Sequence, residues 1–185
     1  VGSAENDQVI RKALAIGADD AIRIDVTGDA DSFAIASEIA AVAKSGGYDM
    51  ILLGKETISY NGSALGGMLA ELLDLPFISY ASKLEMAGNT ATIERDIEGG
   101  EEILTVDVPF VLSAAKGMAE ARIPNMKGIM SAKTKPLTVV APQGIGSLTS
   151  VVKYELPPAK SACKMISADH PEELIRLLHE EAKMI

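Results

Sequence analysis

MILLGKETISYNGSALGGMLAELLDLPFISY, Met50 to Tyr80, carries the fold in miniature. Met50-Ile51-Leu52-Leu53 is an unbroken apolar run, as expected for a strand buried on both faces. Gly54 to Asn61 reads as a loop, a helix follows from about Gly62 to Leu73, and Phe77-Ile78-Ser79-Tyr80 is the next strand. Strand, helix, strand is the unit from which parallel sheets are built. Upstream, Ser3 is placed to cap a helix with Val9, Ile10, Ala13 and Leu14 on its apolar face. Glu5 and Asp7 stand in its first turn and Arg11 and Lys12 later, matching the helix dipole, and Gly17 ends it. Ala21 to Ile24 is a short strand. Asp31 or Ser32 caps a second helix through Phe33, Ile35, Ala36, Ile39, Ala40 and Ala43, ending at Gly46-Gly47. The alternation predicts a doubly wound α/β fold with a mostly parallel sheet. It opens on a helix where a strand is expected, so the domain's first elements are expected to lie outside this sequence.

Downstream of Pro76 the pattern changes. Lys83 to Glu85, Thr90 to Arg95, Glu102 to Val106 and Phe110 to Leu112 are strand-like, with turn signals at Gly88-Asn89 and Gly99-Gly100. An antiparallel insert over 83–113 is expected. Met118 to Lys133 reads as a polar, Met-rich loop running into a short helix, and Leu137 to Val140 as a last strand. From Gly144 an extended arm holding Pro157-Pro158 leads to a terminal helix at Pro171, with Leu174, Ile175, Leu177 and Leu178 on its apolar side. Two regions follow: an α/β nucleotide-binding domain over 1–143 and an arm with its helix over 144–185.

Composition narrows the function. Apolar residues are 48% of the 185 and aromatics 4%, with no Trp, so the core must be Ala, Ile, Leu, Val and Met. A formal charge of −9 argues against nucleic acid and against an anionic membrane surface. The apolar runs are too short to span a bilayer. With one cysteine, Cys163, no intrachain disulfide and no cysteine metal cluster can form, and a reducing compartment is the default. No metal site is expected from His170 and His179. There is no Ser/His/Asp or Cys/His set, no GxGxxG and no P-loop, so no catalytic residue is assigned.

Two stretches carry the functional reading. Gly54 to Leu65 follows a strand and opens a helix, where the N–H groups of Gly62, Ser63 and Ala64 could hold a phosphate; an ordinary strand-to-helix loop is the plainer alternative. Arg122 to Ser131 carries Met126, Lys127 and Met130 in an otherwise acidic chain; its methionines suit a docking surface, or else fold back into the core. Lys116, Arg122, Lys127, Lys133 and Lys135 make a basic stretch, read plainly as a solvated face.

Three segments together resemble the electron-transfer flavoprotein beta family. The most specific is IERDIEGGEEILTVDVPFVLS, Ile93 to Ser113, in which Ile93, Arg95, Glu98, Gly99, Gly100, Glu102, Leu104, Pro109, Val111, Leu112 and Ser113 match the family signature. GKETISYNGSALGGM, Gly54 to Met68, is similar to its adenine-nucleotide loop, and RIPNMKGIMSAK, Arg122 to Lys133, to its partner-recognition loop. The first helix also resembles the family's nucleotide-proximal turn and helix.

The resemblance implies an adenine nucleotide alpha hydrolase-like fold whose first strand, helix and second strand are missing here. It implies a nucleotide contacted by Val1, Gly2, Gly54, Lys55, Glu56, Thr57, Ile58, Ser59, Tyr60, Asn61, Gly62, Ser63, Ala64 and Leu65. Ser59 to Leu65 depart from the acids, Gln or Asn-Gln-Thr run common there, so backbone contacts are expected to dominate. The docking loop would be Arg122, Ile123, Pro124, Asn125, Met126, Lys127, Gly128, Ile129, Met130 and Ser131. The implied protein is a heterodimer with an alpha subunit that holds FAD. It takes electrons from flavin dehydrogenases such as acyl-CoA dehydrogenases and passes them to a quinone reductase. The beta chain binds AMP, or a second FAD, and performs no bond chemistry of its own. The implied compartment is the bacterial cytoplasm, or alternatively the mitochondrial matrix. A stand-alone adenine-nucleotide sensor of the universal-stress type is the alternative, against which the antiparallel insert and the Pro-Pro arm count.

Overall fold

The computed structural model describes residues 1–160 and 162–185. It divides into two compact units, Val1–Ser150 and Val151–Ile185. The first opens with a 3₁₀ turn, Ala4–Asn6, and helix α1, Asp7–Ile16. Ser3 precedes the turn, but its hydroxyl makes no capping bond. Strand β1, Ala21–Ile24, and α2, Ser32–Gly46, follow. Of the two expected caps, Asp31 is the one used, accepting from the Ala34 N–H at 2.9 Å. Then come β2, Met50–Gly54; α3, Ala64–Leu73; β3, Phe77–Ala87; β4, Thr90–Ile97; β5, Gly100–Asp107; and β6, Phe110–Ala114. Helix α4, Met126–Ala132, and β7, Leu137–Val140, complete the elements of this unit.

The strands form two sheets. β1 pairs with β7 in parallel, and the other five run in the order β2-β6-β3-β4-β5. β6 lies parallel to both β2 and β3, while β3, β4 and β5 form an antiparallel meander. The chain is thus a mixed α/β structure. β1 and β2 do not pair, so the strands do not join in one sheet. Their free edges flank an open apolar groove of about 390 Å³ whose lining includes Ile22, Ile39, Val42 and Leu52.

Two expectations are corrected. β2 was expected to be buried on both faces, yet Leu52 is 51% exposed, because β2 is an edge strand beside that groove. Phe110 to Leu112 was assigned to the antiparallel insert over 83–113. It belongs instead to β6, an interior parallel strand, and Phe110, Val111 and Leu112 are fully buried. Such an unbroken apolar triplet suits a strand covered on both sides.

One core cluster joins Ile78, Ala81, Ala91, Ile93, Phe110 and Leu112, uniting the meander with the parallel strands. A second joins Ala36, Ala40 and Leu69, with Ile51, Leu53 and Leu65 packed against them, and fastens α2 and α3 to β2. At Gly66 a β-carbon would stand 2.7 Å from the Phe77 ring, so a larger residue on α3 would have to displace that ring. At Gly88, φ is +62°, as the turn between β3 and β4 requires.

The first unit continues past residue 143 to Ser150 because two α2 carboxylates hold the backbone beyond it. Glu38, 3% exposed, accepts from the Gln143 N–H at 2.8 Å and the Ile145 N–H at 3.2 Å. Asp31 accepts from the Leu148 and Thr149 N–H groups at 2.7 and 2.8 Å. In the second unit, α5 spans Pro171–Glu180 with proline in its first turn, and Arg176 donates to Glu180 at 2.8 Å. Val152 and Leu156 are exposed.

Candidate functional site

The loop after β2 leaves from the carboxyl ends of two parallel strands. Gly54 is the last residue of β2, and the Lys55 N–H donates to the carbonyl of Ala114, which ends β6. The loop then closes on itself. The Thr57 N–H donates to the Gly62 carbonyl at 2.9 Å, and the Asn61 N–H to the Thr57 carbonyl at 3.0 Å. Asn61 adopts the left-handed conformation at φ +55°, which asparagine tolerates well. Lys55 pairs with Glu56 at 3.3 Å. Ile58 and Tyr60 point into solvent, and the Tyr60 hydroxyl lies 3.4 Å from Ser32 Oγ at the start of α2.

Of the three N–H groups expected to hold phosphate, one is already taken: Gly62 donates to Thr57 Oγ1 at 3.2 Å. Ser63 precedes α3 and makes no side-chain capping bond, so the helix start is left to Ser63 and Ala64. Leu65 packs into the second core cluster and is a structural residue. Val1 lines the groove between β1 and β2 and also a second cleft of about 180 Å³ beside Asp25, Glu38 and Ile145. No residue of Gly54 to Leu65 lines either one. The Gly2 N–H donates to the Ile24 carbonyl at 2.9 Å, and its own carbonyl accepts from Arg23 Nη1 at 3.0 Å.

Arg23 was not singled out in the sequence. Only 5% exposed, it lies between Asp7, 2.7 Å from Nε, and Asp25, 2.5 Å from Nη1. Asp7 Oδ1 and Arg23 Nε are close enough for an ion pair, although their alignment is too poor for a hydrogen bond. A charged residue between two isoleucines in a four-residue strand was the available signal.

The second candidate region is an exposed apolar ridge on a fixed base. Asn125 caps α4 by accepting from the Gly128 N–H at 2.8 Å. Met126 is 73% exposed, Ile123 and Met130 are also open to solvent, and Lys127 and Ser131 lie beside them. The methionines therefore do not fold back into the core. Ala132 is buried, and α4 packs on α1 so closely that a β-carbon on Gly128 would stand 2.3 Å from the Ala15 carbonyl oxygen.

The base is fastened by cations. Arg11 Nη1 donates to the Ala132 carbonyl at 2.7 Å and to the Lys135 carbonyl at 2.6 Å. Lys135 Nζ donates in return to the Leu14 carbonyl at 3.0 Å and to the Ala18 carbonyl. Arg122 reaches the same end of α1, its Nη1 lying 3.2 Å from where a β-carbon on Gly17 would be. The basic stretch is mostly solvated: Lys116, Arg122, Lys127 and Lys133 are exposed, while Lys135 is half-buried with its ammonium occupied. Arg95, by contrast, is engaged within the meander, in an ion pair with Glu102 at 2.6 Å.

Among the described residues no group of three His, Cys, Asp or Glu is placed to hold a metal, and no helix is long and apolar enough to cross a membrane.

The sequence model described as "Electron transfer flavoprotein domain" matches residues 1–144. The electron transfer flavoprotein subunit beta of Bacillus subtilis (strain 168) is 35% identical, over all of this chain and 77% of its own length. That of Syntrophomonas wolfei is 36% identical over 98% of this chain and 72% of its own length. The human subunit is 33% identical over 97% and 72% respectively. A family match over so much of the chain leaves one reading: the chain belongs to the electron transfer flavoprotein family, where its relatives are beta subunits, electron carriers rather than enzymes.

Proposed function

We propose that the chain is the beta subunit of a heterodimeric electron-transfer flavoprotein. The complex would shuttle electrons from flavin dehydrogenases, such as acyl-CoA dehydrogenases, to a quinone reductase. FAD, held mainly by the alpha subunit near the interface, supplies the one- and two-electron chemistry when bound. This chain supplies an adenine-nucleotide site and the docking loop, and needs no catalytic residue.

The observation that carries the reading is the ridge of Ile123, Met126 and Met130 on a capped, firmly seated helix. An apolar side chain in water gains about 25 cal/mol for each Å² it buries in a partner. Lys127 adds a positive rim that steers encounter with an acidic partner.

AMP is the nucleotide assigned to the loop, with a second FAD as the alternative. The site fits a phosphate in part: Ser63 and Ala64 stand at the uncapped start of α3, whose dipole favours an anion. The Gly62 N–H, engaged by Thr57, would have to exchange partners. For the fold, the reading is a doubly wound sheet of the adenine nucleotide alpha hydrolase type, with further strands entering the groove between β1 and β2. The free edges of both strands and the apolar lining support it. The arm beyond 143 is assigned to the alpha subunit's surface, which would cover Val151, Val152 and Leu156. The bacterial cytoplasm is the proposed compartment, with the mitochondrial matrix as the alternative.

Co-expression with an electron-transfer flavoprotein alpha subunit tests this. A 1:1 complex carrying FAD and releasing AMP on denaturation is expected, while the chain purified alone carries no FAD. A chain that binds adenine nucleotide but no alpha subunit would overturn the assignment in favour of a stand-alone sensor.

A further inference from the structure

We propose that Arg11 and Lys135 are positioning residues that hold the docking helix in its presenting pose, each by satisfying the end of the other's segment. This rests on the assignment of 122–131 as the docking loop.

The ends of both helices leave backbone carbonyls without a partner inside the helix. At α1 the Ala13 carbonyl is met locally, by the N–H groups of Gly17 and Ala18. The Leu14 carbonyl is met by Lys135 Nζ at 3.0 Å, from 121 residues away. No basic residue stands in α1's own last turn, so the positive charge that the dipole favours arrives with Lys135 and Arg122. At α4 the roles reverse. Arg11, one turn inside α1, reaches out to the carbonyls of Ala132 and Lys135 at 2.7 and 2.6 Å. Each cation thus holds the segment that carries the other.

The arrangement confines α4 along its length. The seven-residue helix is too short to persist by itself. Its contact with α1 at Gly128 and Ala15 fixes the separation, and the two cations fix the rotation and slide. Lys135 is followed at once by Pro136 and β7, and the Pro136 carbonyl accepts from the Ala21 N–H at the start of β1. The base of the ridge is therefore continuous with the β1-β7 pair. With Ile123, Met126, Ile129 and Met130 exposed, a fixed pose means that the partner's pocket does not have to order the loop on binding. At each end one cationic nitrogen serves two carbonyls, Arg11 Nη1 those of Ala132 and Lys135 and Lys135 Nζ those of Leu14 and Ala18.

Arg11→Met and Lys135→Met keep the aliphatic stems and remove the donors. The experiment uses the complex with an alpha subunit. Amide hydrogen exchange across 126–135 and steady-state reduction by a dehydrogenase are measured for the wild type, both variants, Arg11→Lys and Met126→Ala. We expect exchange in this segment to quicken about tenfold in each Met variant, as charged hydrogen bonds are lost. KM for the dehydrogenase should rise several-fold at unchanged kcat, and Arg11→Lys should recover part of both effects. Unchanged exchange in the Met variants would overturn the clamp. Quickened exchange with KM unmoved, while Met126→Ala does raise KM, would overturn the positioning role and leave the docking assignment standing. If Met126→Ala leaves KM unmoved as well, the docking assignment fails, and the positioning role with it.

Discussion

Two irregular stretches of the first unit are fastened by opposite chemistry. Residues 143–149 are held through their N–H groups, by the carboxylates of Glu38 and Asp31 on α2. Residues 132–135 are held through their carbonyls, by Arg11 on α1, and return the contact through Lys135. Backbone outside a ladder still needs partners for its polar groups, and a helix beside it can supply either sign. The choice has consequences. A carboxylate anchor can be released by acid, whereas a guanidinium stays protonated in all but extreme alkali. The carboxylates also work on one face of one helix, whereas the cations cross between two segments and constrain both.

The comparison breaks most readily at the helix crossing. Gly128→Val should destabilise the chain by about 1–3 kcal/mol, since the new side chain meets the Ala15 carbonyl rather than a flexible neighbour. A denaturant melt measures it. A loss under a few tenths of a kcal/mol would mean that α4 slides freely and that cations alone do not confine it.

Next comes Glu38→Gln. The buried carboxylate faces two N–H donors, and an amide can turn only one oxygen toward them. One donor is left unmet beside an NH₂ group, at a cost of about 1–3 kcal/mol. Exchange at Gln143 and Ile145 should quicken while exchange at 132–135 does not change. Loosening of both stretches together would show that the anchors are not independent.

Acid should then separate them without mutation. Hydrogen bonds from the backbone, that of Ala34 first, hold the Asp31 carboxyl below its ordinary range. A group whose folded value is depressed contributes stability that is complete above its unfolded value and lost as pH falls through the folded one. Amide resonances of Leu148 and Thr149 should therefore shift only in strong acid, below the usual carboxylate range, and not in Asp31→Asn. Those of 133–135 should not follow them.

The smallest effect on stability belongs to Met126→Ala. Its side chain is mostly in water, so the melting temperature and bound nucleotide should be unchanged. Reduction by a dehydrogenase should weaken by about tenfold in kcat/KM, an anchor of this kind costing more than ~1 kcal/mol when truncated. Unfolding instead would make Met126 part of the core.

Most elements were legible because they rest on local pattern. The 3.6-residue period marked α1, α2 and α3, and glycines at Gly88 and Gly99 marked the meander. β6 was misassigned although Phe110-Val111-Leu112 is as continuous as Met50 to Leu53. Its neighbours in sequence are antiparallel strands, and its neighbours in space, β2 and β3, are not adjacent to it in the chain. In the candidate site the stretches were found but not their internal wiring. That Thr57 would occupy the Gly62 N–H, or that Leu65 would face the core, depends on how the loop closes.

The sequence by itself determined the α/β class, the positions of the strands and helices, and the two stretches in which function is sought. Periodicity, capping residues and turn glycines act over a few residues and can be read there. Only the tertiary structure decided that β1 and β2 stand apart, that Glu38 and Asp31 serve a stretch more than a hundred residues away, and that Arg11 and Lys135 clasp each other's segments. Such contacts depend on which backbone groups the fold leaves unpaired, and that is settled only when distant elements meet.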